Sequence, residues 1–192
     1  MALNLDKKFK PRKVPEIECN AYHEAGHVFV YSYYNIPFKY VTLIPKGDTI
    51  GVVSGDLRPK LTELHFDYKS KIYKVIQRLT IAYAGILSEA LYSGLYNEDG
   101  LQSDFQKFGD LLVRLIPEDQ ERYAFFEWIE LRTFNLLSFK LNWLKIEFIA
   151  KSLLVSKKLK RTEIFNILDE CKDYMIKNII TIDDLKSPPG LR

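Results

Sequence analysis

The 192-residue chain is long enough for one well-buried core and short for two. With 47% hydrophobic and 28% charged residues it describes a globular domain rather than a disordered one, and a net charge of +3 is too mild to point to nucleic acid. No stretch is long and apolar enough to span a bilayer, no signal-peptide core precedes the first lysines, and Cys19 and Cys171 form no C-x-x-C pair; together these predict a cytoplasmic protein.

Residues 1–15 carry Lys7, Lys8, Lys10, Arg12 and Lys13 in a Pro-interrupted segment, which reads as a flexible basic arm. A solvated tail is its plain role; contact with an acidic partner or a peripheral position on an anionic membrane surface is the alternative. Pro15 and Glu16 suit the first turn of a helix, since proline lacks only an amide that would be orphaned there and the acid complements the dipole. From Ala21 to Tyr34 the residues are mostly apolar or small, and Asn35-Ile36-Pro37 ends the run, so this helix is expected to be largely buried.

That helix holds His23-Glu24-Ala25-Gly26-His27. Residues four apart project from one helix face, so His23 and His27 can grip one metal ion from the same side. Glu24 then lies beside the metal, where a general base takes a proton from a metal-activated water. Two core or surface histidines on an ordinary helix are the bland alternative. Gly26 should cost about 1 kcal/mol against alanine, which predicts close approach of another backbone or room at the metal. Cys19, one turn before His23, is either a packing residue or a thiolate near the metal.

Tyr40-Val41-Thr42-Leu43-Ile44, the turn residues Pro45-Lys46-Gly47-Asp48, and Ile50 to Val53 predict a β-hairpin. Its first strand either covers the core or pairs with an extended substrate, with Val41, Thr42, Leu43 and Ile44 as the substrate-binding residues. A long helix follows from about Phe66 to Ser93, with Ile72, Val75, Ile76, Leu79, Tyr83, Ile86, Leu87 and Ala90 at helical spacing. Its small residues around Ala84-Gly85 suit tight packing on the first helix. Ser103-Asp104-Phe105-Gln106 has the form of a capping box opening a helix to about Ile116. Asp119 to about Val155 is one long helix or two, rich in aromatic residues that read as packing core. Thr162 is expected to cap a last helix to about Lys172, leaving residues 16–186 as a single domain and 187–192 as a loose tail.

A catalytic zinc takes three protein ligands and keeps one open position. A third histidine close behind is excluded, because Val30 and Tyr33 stand where H-E-x-x-H-x-x-G-x-x-H needs glycine and histidine. His65 reads as a partly exposed residue. Glu89, in an apolar helical segment, is either a ligand or a carboxylate supporting a ligating histidine. Asp104 is either a ligand or a first-turn acid serving the helix dipole.

The stretches Ala21–His27, Tyr40–Gly47, Ala84–Glu89 and Gly100–Phe105 make the chain similar to the peptidase domain of the FtsH-type zinc metalloproteases, and Leu153 to Leu168 resembles that domain's closing helices weakly. The resemblance implies a mainly α (α+β) fold with a small sheet beside the active-site cleft. It also implies one zinc ion per chain held by His23, His27 and Asp104, with Glu24 as general base and Glu89 as supporting carboxylate. An ATPase module and membrane helices precede that domain in the family, whereas here Met1 is 22 residues before His23 and no G-x-x-x-x-G-K-[ST] loop occurs. The resulting expectation is a stand-alone, ATP-independent zinc metallopeptidase acting on peptides or unfolded proteins, with oligomerisation left open. Its rivals are a non-catalytic adaptor that binds a separate ATPase or a membrane partner, and a zinc hydrolase of some non-peptide bond.

Overall fold

The first helix, α1, spans Glu16–Tyr33, with Pro15 extended before it and Glu16 and Glu18 in its first turn. It stops where the sequence predicts. Asn35 turns left-handed at φ 52°, its amide donates to Ser32 O (3.1 Å) and the Ile36 amide reaches Tyr31 O (2.8 Å), which satisfies the helix's last carbonyls. The computed structural model describes residues 11–45, 52–54, 68–96 and 109–178.

Strand β1 (Tyr40–Thr42) pairs antiparallel with β2 (Val52–Ser54), Val41 opposite Val53. The long helix α2 spans Tyr68–Ser93 and is followed by α3 (Gly109–Leu115). The aromatic-rich stretch forms two helices, α4 (Asp119–Ser138) and α5 (Lys140–Ser156), broken at Phe139, whose extended backbone (ψ 122°) interrupts the ladder. The last helix, α6, spans Arg161–Lys177. It corrects the expected cap: Thr162 lies inside the first turn, and the Lys160 amide donates to the Glu163 carboxylate at 2.6 Å. The predicted cap at Ser103 lies outside the described residues.

One element is new. Lys157 adopts the left-handed conformation (φ 58°) after α5, and the chain then runs as β3 (Lys158–Lys160) along the free side of β1, Val41 opposite Leu159. The sheet order is therefore β2-β1-β3, with β1 in the centre. The architecture is mainly α with this small antiparallel sheet, as the resemblance implies.

Helix α1 lies between α2 and α5, and α2 also packs on α4. Val28, Leu79, Leu87, Ile146, Ile149 and Leu153 are fully buried at the junctions. Tyr22 fixes the rotation of α1, because its ring stacks on Tyr92 of α2 (centroids 3.7 Å apart) and on Trp143 of α5 (5.6 Å). The Tyr92 hydroxyl donates in turn to the Glu18 carboxylate. Within the expected flexible arm, the Arg12 amide donates to Ser93 O at the C-terminal end of α2 (2.8 Å). Among the described residues no helix is long and apolar enough to cross a membrane.

Gly26 explains its place in a helix interior. A Cβ there would collide with Ala84 O and the Ser88 side chain of α2. Gly26→Ala gains about 1 kcal/mol of helix propensity but forces two backbones apart, and overpacking of this kind costs about 1–3 kcal/mol. A net loss of stability is expected, read as a lower urea midpoint.

Candidate metal centre

His23 and its partner one turn on, His27, are half-buried and lie against α2. Their Nε2 atoms stand 3.1 Å apart. The other nitrogen of each ring is engaged from α2. His27 Nδ1 lies 2.7 Å from Ile81 O, and since a carbonyl can only accept, Nδ1 carries the proton. His23 Nδ1 lies 3.1 Å from Glu89 Oε2, a carboxylate that fixes the same tautomer.

This arrangement tests whether a metal fits. With both Nδ1 atoms donating, each ring when neutral turns its Nε2 lone pair toward the other at 3.1 Å, and either a shared proton or a metal ion bound to both nitrogens satisfies that approach. Two imidazoles bound to one tetrahedral zinc at about 2.0–2.1 Å have nitrogens about 3.3–3.4 Å apart. The observed spacing is close to that, and the donor set suits zinc. Glu89 meets the edge of the His23 ring opposite Nε2, the position of a carboxylate that orients a ligating histidine.

Glu24 follows on the same turn and is only 6% exposed. A carboxylate buried to that degree is stabilised only by hydrogen bonds or a nearby cation. Cys19 lies close enough to Glu89 to feel its charge. Burial first, and then that carboxylate, push the Cys19 thiol above its ordinary pKa.

The described residues bring together His23, Glu24, His27 and Glu89. They contain no group of three or more His, Cys, Asp or Glu side chains that could hold a metal, and Asp104 and His65 lie outside them.

The strand proposed to bind substrate requires a correction. β1 is hydrogen-bonded on both sides, to β2 and to β3, so no edge of Tyr40–Thr42 is left for an added strand. Val41 (0% exposed) and Leu43 (3%) point into the core. Thr42 Oγ1 donates to Lys157 O (3.1 Å) and the Leu43 amide reaches the same oxygen (2.8 Å), leaving Ile44 as the one exposed side chain of the four.

Two contributors lie outside the candidate site residues read from the sequence. The Ile81 carbonyl is a backbone group and leaves no trace in residue identity. Gly85 falls within the stretch Ala84–Glu89 that carries the resemblance but is read there only as a small packing residue, yet a Cβ built on it would lie 2.5 Å from His27 Nε2 and 2.6 Å from His23 Nε2.

No family model matches the chain. Over 100 residues it is 29% identical to the ATP-dependent zinc metalloprotease FtsH of Borreliella burgdorferi (strain ZS7). That alignment takes in 51% of this chain and spans 15% of the length of that protein. The similarity is distant and partial, and it is to a zinc metalloprotease.

Proposed function

We propose that the chain is a zinc-dependent metallopeptidase. The observation that carries this reading is the pair of Nε2 atoms held 3.1 Å apart with both Nδ1 positions occupied from α2. His23 and His27 bind the ion, and Asp104 is the third ligand on the strength of the family resemblance. When bound, zinc polarises the scissile carbonyl and makes a nearby water acidic enough to attack near neutral pH. Glu24 receives the proton of the attacking water and holds it until the departing amine takes it up. Glu89 and the Ile81 carbonyl keep the two imidazoles in the tautomer and orientation that binding needs. The distant similarity to an FtsH zinc metalloprotease supports the same chemistry.

Purified protein is expected to carry about one zinc per chain and to hydrolyse a fluorogenic peptide, with activity lost to a chelator and restored by zinc. Asp104→Ala should abolish tight zinc binding, whereas Glu89→Ala should weaken it by about 10–100-fold, the usual cost of a lost supporting carboxylate. Both variants are read by zinc titration. If Glu89→Ala abolishes binding and Asp104→Ala leaves it intact, the two carboxylates exchange roles. Protein that binds no zinc and cuts no peptide removes the reading.

A further inference from the structure

We propose that Gly85 is the positioning residue of this centre: its bare backbone seats His27 on the Ile81 carbonyl and leaves open the point on which both imidazoles converge. This rests on the metallopeptidase reading. In an α-helix each Cα–Cβ bond tilts toward the N-terminus, so the side chain at one position overlies the turn before it, including the carbonyl four residues back. For Ile81 that residue is Gly85. Without a side chain there, the Ile81 carbonyl in the middle of α2 is open from the side, and His27 Nδ1 reaches it at 2.7 Å.

The second consequence falls on the other edge of the rings. The three atoms nearest a Cβ at Gly85 are all imidazole atoms: His27 Nε2 at 2.5 Å, His23 Nε2 at 2.6 Å and His27 Cε1 at 2.7 Å. Carbon cannot approach nitrogen that closely, so with alanine at this position the rings must swing away. Once they move, the two lone pairs no longer meet at one point. The contrast with Gly26 is instructive, because a Cβ there would meet the Ala84 backbone oxygen and the Ser88 side chain, none of it imidazole. Gly26 sets the distance between the helices, and Gly85 uses that distance to accommodate the ligands.

The test compares Gly85→Ala in two backgrounds, the natural chain and one carrying His23→Ala and His27→Ala. In the natural background Gly85→Ala is expected to lower zinc affinity by at least about 100-fold, the upper end of what a lost supporting partner costs. In chelator, any destabilisation it causes should vanish in the background without imidazoles, since the colliding atoms are gone. A Gly85→Ala chain that fails to fold alone but folds in that background also supports the proposal. Unchanged zinc affinity in Gly85→Ala overturns it, as does an equal loss of stability in both backgrounds, which would make Gly85 a packing residue. Should the natural chain bind no zinc, the metallopeptidase reading falls, while the comparison of stabilities still decides the steric claim.

Discussion

Glu24→Gln is expected to keep its zinc and to lose peptide turnover by about 10²–10⁴-fold, the usual contribution of a positioned general base. Glutamine matches glutamate in shape, so a side chain that is 6% exposed between packed helices can be replaced without opening a cavity. What changes is the ability to take up a proton. The loss should fall on kcat, because the amide still fills the site and His23 and His27 still hold the ion. Zinc content and peptide hydrolysis measured on the same preparation separate the outcomes. A loss under tenfold removes Glu24 from proton transfer, and loss of the zinc itself makes Glu24 part of the binding site rather than the base.

How far the site could be read from residue order depends on the range of each interaction. His23, Glu24 and His27 lie within one and a half turns of a single helix, so their relation follows from the 3.6-residue repeat alone. Glu89 is 66 residues from His23, and only its isolation in an apolar segment signals that it needs a partner. The Ile81 carbonyl has no such signal, since every residue owns one. In the fold, α1 is legible through its start and stop residues and α2 through its apolar stripe. The break at Phe139 is not, because neither proline nor glycine marks it and the residues on both sides favour helix. β3 is hidden for a related reason: three residues, Lys158-Leu159-Lys160, are too short for a pattern, and the left-handed turn before them falls on Lys157 instead of glycine. That hidden strand also overturns the expected substrate edge, since its pairing occupies the side of β1 that the hairpin alone would leave free.

A flexible, casein-like chain is expected to be cut without nucleotide, and a stably folded protein to be cut on the order of 10³-fold more slowly or not at all. The bond broken must reach the two half-buried imidazoles and the buried Glu24, so the substrate has to present an extended segment. A folded protein offers one only when it opens. At about 5 kcal/mol of stability, a segment exposed by global unfolding is available in roughly one molecule in several thousand, and cleavage slows in proportion. Hydrolysis itself consumes water and uses a base, not ATP, so added ATP should change neither rate even though the similar Borreliella protein is ATP-dependent. Rates on both substrates with and without ATP test this. Nucleotide-free cleavage of the flexible chain alone matches the expectation, whereas cleavage that starts only when a separate ATPase is supplied replaces it with a partner-dependent peptidase.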